Sequence, residues 1–394
     1  MTESVRKSAV PAPPAPAGNL ATGTLKLIAM VFMFIDHSGK VLFNNMPEMR
    51  ALGRLAFPLY VWCMVVGFHR TRNVARYLRR VLLVGLISQP LYLFALDSEG
   101  HIGVLAERVF LPLAGGFTWP GIWNVLYTVF MQKPNIFLTL LMGLIALCAI
   151  RDKDWLRKVW LPGAFLLVMT ALAFIHDKKV DPIIEKISAP FAGGFSLAAL
   201  GQLFRVLFWD APNYFCLIFL AAGLLWGFSG RHRGPGQIWG PVLMMLLATV
   251  LKADYGWKGV LFFILLYAAQ GYRPAIAAVT VSFMLFWGSG YPITSELFGV
   301  RVNLNLLPPS LSDPVKHLLR LETYSLAALP LILIRFPCAL ALPRWSSWLL
   351  CPAYPGVPVI PADIRMPRWL GYCIYPAHLV LLIILKIIQF GWFA

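Results

Sequence analysis

The sequence predicts an all-α fold, a polytopic integral membrane helical bundle of about eleven transmembrane helices. Three observations carry this expectation. Hydrophobic residues make up 59% of the 394-residue chain and charged residues only 13%, where soluble domains run at roughly a half and a quarter. The mean hydropathy is +0.71. Apolar runs of roughly 17–25 residues, the length that crosses a bilayer, recur from one end of the chain to the other.

Taken in order, the first element is a tail, "MTESVRKSAVPAPPAPAGNLATG" (1–23), which is rich in Pro and Ala. Such a composition cannot bury a core, so the tail reads as disordered and cytoplasmic. The apolar run behind it has no small-residue cleavage site, so it is expected to be a retained span rather than a signal peptide. Spans are expected near 24–43, 50–69, 77–96, 135–150, 155–175, 213–229, 239–252, 257–271, 274–291, 325–336 and 369–391. Those at 239–252 and 325–336 are short enough to be half-helices. The segment "FAGGFSLAALGQLFRVLF" (191–208) reads as interfacial or re-entrant. Polar or mixed stretches at 97–134, 176–212, 292–324 and 337–368 interrupt the spans, with Pro and Gly as punctuation. There is no internal repeat, which weighs against a transporter built from repeated halves. Residues 24–394 are expected to form one transmembrane domain.

Charge orients the bundle. With a cytoplasmic N-terminus, the inner segments hold 19 of the 34 Lys and Arg and 4 of the 17 acids, a net of +15. The outer portions hold 15 bases and 13 acids, a net of +2. The positive-inside rule therefore places the N-terminus in the cytoplasm, in a bacterial inner membrane. Topology absorbs most of the +17 net charge, so no nucleic-acid partner is implied. The six cysteines are scattered, with no CxxC pair, so neither a disulfide framework nor a metal site is expected.

The informative residues are ionisable groups inside the spans, because such groups are rare in lipid and usually face a bundle interior or a wet cavity. "TLKLIAMVFMFIDHSGKVLF" (24–43) carries Asp36 and His37. At about 1.5 Å per residue, His37 lies roughly 18 Å from the start of its span, past the middle of a core about 30 Å thick. His378, in "WLGYCIYPAHLVLLIIL", lies about 14 Å in. Arg54, in "MRALGRLAFPLY", and Asp254, in "LKADYGWKGV", sit near the outer ends of their spans. Each has a plainer explanation. Asp36 and Lys40 are four apart and can pair on one helix face, Asp36 can neutralise Arg54, and His378 can bond a carbonyl that Pro376 leaves free. Together, Asp36, His37, Arg54 and His378 favour a site. The second-to-third loop holds Arg70, Arg72, Arg76, Arg79 and Arg80. Five arginines within eleven residues exceed what topology asks, and Arg suits bidentate phosphate binding. A phosphorylated soluble ligand is the expectation, with anionic membrane lipids as the competing partner. No P-loop, GxGxxG or GxSxG is present.

Five pieces, "LKLIAMVFMFIDHSGKVLF" (25–43), "GRLAFPLYVWCMVVGFHRTRNVARYLRRVLLVGLIS" (53–88), "NIFLTLLMGLIAL" (135–147), "DYGWKGVLFFILLY" (254–267) and "YCIYPAHLVLLIIL" (372–385), resemble the TraX family in order and style. These are integral membrane acetyltransferases known for N-acetylating the pilin of conjugative plasmids. The chain departs from the pattern at Val66 and Gln89, where acidic residues are expected. The resemblance implies acetyl-CoA as a co-substrate, with no bound cofactor, and a membrane-presented acceptor: a pilin-like protein, a glycan or a small molecule. His37 is expected to act as general base, and Arg54 or His378 to stabilise the oxyanion. Asp36 points about 100° away from His37 on the helix and would organise Arg54, Lys40 or the acceptor ammonium. Asp254, Tyr255, Lys40 and Tyr375 are assigned to the acceptor. The five arginines and Asn135 are assigned to CoA. An O-acyltransferase, a transporter or flippase, and a structural assembly protein are the competing expectations.

Overall fold

The computed structural model describes residues 15–96, 102–114, 116–176, 196–205, 235–287, 320–334 and 367–391, with Gly194, Leu306, Pro308 and Ser312 between them. Every regular element among the described residues is helical. The chain opens with α1 (Thr22–Val41), the short α2 (Pro47–Gly53), α3 (Ala56–Arg70) and α4 (Val74–Leu96). It continues through α5 (Ile102–Phe110), α6 (Trp119–Phe130), α7 (Ile136–Arg151), α8 (Trp155–His176) and α9 (Leu197–Arg205). Helices α10 (Pro235–Val250), α11 (Gly256–Ala269) and α12 (Arg273–Trp287) follow. A 3-10 helix, Leu321–Ala328, then runs into α13 (Leu329–Leu333), and α14 (Arg368–Phe390) ends the described chain.

Among the described residues, four helical stretches are long and apolar enough to cross a membrane: Pro47–Arg70, Val74–Leu96, Trp155–Leu172 and Trp369–Phe390. Shorter apolar helices accompany them, among them Ile136–Arg151 and Gly256–Ala269. The chain is thus a helical membrane protein. The expected span at 213–229 lies outside the described residues.

Helix α7 is the axis of the bundle. Every residue from Leu138 to Ala149 is buried, as expected of a helix that is apolar all round. It packs against α4, α10 and α11. Gly143 is what allows α11 so close: a Cβ there would meet the Phe263 ring at 2.5 Å. The same core takes in α3, with Leu59, Val61, Trp62, Cys63, Val65, Val66 and Phe68 wholly buried.

Several expectations are corrected. The second span, expected at 50–69, is present as Pro47–Arg70, but a two-residue turn interrupts it, with α2 ending at Gly53 and α3 beginning at Ala56. Pro58 explains the break, since it has no N–H to return to the carbonyl of Arg54. The stretch 97–134 contains α5 and α6, whose Leu105, Val109 and Val129 pack with Leu93. At 9 and 12 residues, these helices are too short to be seen as spans. The segment expected at 325–336 starts in the 3-10 helix Leu321–Ala328 and continues as α13 (Leu329–Leu333), a short apolar helical piece rather than a full span.

The tail is also ordered before residue 23. Ala17 donates its N–H to the Gln270 carbonyl at 2.6 Å, and Asn19 donates to the Ile332 carbonyl at 2.7 Å. Trp62 Nε1 donates to the Asn19 carbonyl at 2.8 Å. Backbone hydrogen bonding, which composition does not report, pins this stretch across three elements.

Candidate functional site

A cavity of about 750 Å³ opens among α1, α2, α3, α4, α7, α14 and the turn before α11. One end is lined by Thr22, Lys26, Tyr77 and Tyr372, and the other by Asp36, Lys40, Arg50, Arg54 and Asp254. His37, Tyr255 and Tyr375 also line it. Elements from both halves of the chain therefore build one chamber.

At its wall two histidines meet. His37 Nδ1 lies 2.8 Å from His378 Nε2, and His378 Nδ1 lies 3.2 Å from the Ile374 carbonyl oxygen. A carbonyl only accepts, so the network assigns the proton of His378 to Nδ1 and makes Nε2 an acceptor. His37 then donates from Nδ1 and keeps a lone pair on Nε2. The two rings cannot both be doubly protonated in this contact, because two N–H groups would face each other. His378 itself is buried and does not line the cavity.

Asp36 is paired with Arg50 at 2.8 Å, through Oδ2. The expectation that Arg54 or Lys40 would partner Asp36 is thus corrected: α2 folds back against α1, and Arg50 reaches Asp36 first. The approach is close because residue 53 is glycine, and a Cβ there would overlap the Asp36 side chain. Arg54 instead lies 3.6 Å from Glu322, which is 2% exposed. Neither pair is complete. Asp36 Oδ1, Arg54 Nε, Glu322 Oε1 and the Tyr375 hydroxyl are buried without a hydrogen-bond partner among the described residues. Unsatisfied polar atoms at this density are unusual in a folded interior, and three of the four belong to residues that line the cavity.

Tyr255 stacks on Phe57 with ring centroids 3.9 Å apart and meets Trp287 edge-on. Tyr375 sits edge-on to Phe137, His378 and His37. The remaining assigned residues lie elsewhere. Arg70, Arg72, Arg76, Arg79 and Arg80 are exposed and do not line the cavity, although Tyr77 and Val81 of the same helix do. Arg70 donates to the Leu20 carbonyl at 3.3 Å, two residues before the cavity-lining Thr22. Asn135, assigned to CoA by resemblance, lies outside the large cavity. Its side chain caps α7 by accepting from the Phe137 N–H and donates to the Gly85 carbonyl. Gln89 accepts from its backbone N–H at 2.8 Å. That role is structural.

Two functional candidates escaped the sequence reading. Arg50 stands four residues before Arg54, a spacing that puts both on one face of a helix, and could have been found. Glu322 sits in "RLETYSLAAL" and carries no local signal.

Residues 21–182 match the family model described as TraX protein. The chain carries a TraX-family region. It is also 29% identical over 232 residues to the probable fimbrial assembly protein FimC, serogroup H1, of Dichelobacter nodosus. That match covers 53% of this chain and 84% of the relative. No solved structure matches. The TraX region supplies Asp36, His37, Lys40, Arg50 and Arg54. Asp254, Tyr255 and Tyr375 lie beyond it and complete the cavity wall, and Glu322 and His378, also beyond it, contact Arg54 and His37.

Proposed function

We propose that this chain is a membrane acetyltransferase that moves an acetyl group from cytoplasmic acetyl-CoA to the amine of a membrane-presented acceptor such as a pilin N-terminus. The observation that carries the reading is the His37–His378 pair set in the wall of a chamber that runs between two polar ends. The TraX match and the fimbrial relative support the choice of reaction and acceptor. In this reading the chain sits in the bacterial inner membrane with its N-terminus in the cytoplasm, and about eleven segments cross.

The arginines of the α3–α4 loop and the start of α4 attract the CoA phosphates by charge and by forked hydrogen bonds. The acyl thioester enters from the Thr22 end, and the acceptor from the Lys40 end. A free α-amine has a pKa near 7.7–8.0, so it arrives largely protonated and gives up one proton to a carboxylate or to water. Its nitrogen attacks the thioester carbon, and His37 Nε2 takes the second proton. The C–S bond then breaks, and CoA leaves as the thiolate or, once protonated, the thiol. His378 acts as a positioning residue that fixes the tautomer of His37, while the Tyr375 hydroxyl and Arg54 are the available donors for the oxyanion.

The test is transfer of label from radiolabelled acetyl-CoA in inverted membrane vesicles, wild type against His37→Ala. Label on a protein or small amine, lost in the variant, is expected. No transfer by an inserted wild-type protein with its native partners present would overturn the reading and leave transport as the better account of the buried charges.

A further inference from the structure

We propose that the Lys40 end of the cavity is a subsite for a zwitterionic peptide terminus, a free amine followed within the first residues by an acidic side chain. The inference rests on the acyl-transfer reading above and names its acceptor more closely. At this end Lys40, Arg50, Arg54, Asp36 and Asp254 line the cavity, Glu322 lies against Arg54, and the charge of Lys133 also reaches Lys40. Two pairs are accounted for, Arg50 with Asp36 and Arg54 with Glu322. Lys40 and Asp254 are not. Both line the cavity and each lies in the field of the other, yet among the described residues neither has an ion pair within 4.0 Å. Lys40 is held by the last turn of α1, and Asp254 by the turn before α11.

An unmet cation and an unmet anion on one cavity are complementary to a ligand that carries one charge of each sign. A neutral alcohol would leave both without a partner. A plain amine would satisfy Asp254 and bring a second positive charge toward Lys40. A zwitterion satisfies both. The orphan atoms fit the same ligand: Asp36 Oδ1 accepts a second N–H of the ammonium, and Arg54 Nε donates to the anion or to the first peptide carbonyl. The anion is a carboxylate rather than a phosphate, because both arginines at this end already hold carboxylates. The lone lysine left over matches a single negative charge, where phosphate favours arginine forks.

The experiment uses the full chain in liposomes with labelled acetyl-CoA and three peptides that differ only at residue two: Glu, Gln or Lys. Wild type is expected to acetylate the Glu peptide roughly tenfold better in kcat/KM than the Gln peptide, with the Lys peptide worst. Lys40→Glu is expected to reverse the order. Should that variant fail to insert, Lys40→Gln is expected to abolish the preference for Glu over Gln. A reversal of peptide preference is something a merely structural lysine would not produce. Equal use of all three peptides, unchanged by either variant, would overturn the inference while leaving acetyl transfer intact. Acetylation of glucosamine or an aminolipid but of no peptide would do the same. Absence of transfer to any amine would instead overturn the acyl-transfer reading itself.

Discussion

Replacing His378 by alanine separates two roles that geometry alone allows the residue. If His378 fixes His37, the variant removes the acceptor of the His37 Nδ1 proton, a contact of 2.8 Å. Leaving that buried N–H unpaired costs about 1–3 kcal/mol, which corresponds to a drop in kcat/KM of roughly 5- to 150-fold. His37→Ala removes the base outright, and the loss should be about 10²- to 10⁴-fold. The double variant decides. A positioning residue has nothing left to position once His37 is gone, so the double variant should be no slower than His37→Ala alone. An independent oxyanion donor would instead multiply the two losses, with its own share near 10²- to 10³-fold. The assay is initial-rate acetyl transfer over a range of acceptor concentrations, with the melting temperature in detergent recorded for each protein. Multiplicative losses in proteins of unchanged stability, or a His378→Ala rate below that of His37→Ala, would refute the tautomer argument.

Other expectations follow from the same contacts. Gly53→Ala drives a methyl group into the Asp36 side chain; overpacking of this kind costs about 1–3 kcal/mol, visible as a lower melting temperature together with lost transfer. Asn135→Ala deletes the α7 cap and the bond to Gly85; it should destabilise by about 2 kcal/mol while leaving the KM for acetyl-CoA unchanged, and a raised KM with normal stability would favour the CoA assignment instead. Neutralising Arg72, Arg76, Arg79 and Arg80 together should raise the KM for acetyl-CoA in a salt-sensitive way with little change in kcat. Asp152, in the turn after α7, provides a pH test. Burial pushes its carboxyl upward, but hydrogen bonds and charge from Arg151 and Lys158 outweigh that and hold it below the ordinary value of 3.8. A depressed carboxylate stabilises the fold above its unfolded pKa, and the contribution disappears as pH falls below about 3.8. Asp152→Asn should therefore flatten the acid limb of a stability-against-pH curve, and an unchanged limb would contradict the pairing.

Composition and periodicity determined the class of this protein, because the demand that backbone polar groups be satisfied in lipid leaves few solutions for so apolar a chain. The same logic marked Asp36, His37, Arg54, Asp254 and His378, since ionisable groups at membrane depth stand out in any sequence. The structure brings all five together, four on the cavity wall and His378 bonded behind it. Local sequence could not say who pairs with whom. Asp36 takes Arg50 only because Gly53 lets α2 close on α1, and Arg54 is left to a glutamate 268 positions away. The folded end of the tail escaped for a related reason, as its order comes from carbonyls of distant helices rather than from its own residues. Depth and charge are properties of single residues and survive in the sequence. Pairing, tautomer and the placing of Lys40 and Asp254 on one cavity are properties of contacts between elements remote in the chain, and only the tertiary packing decides them.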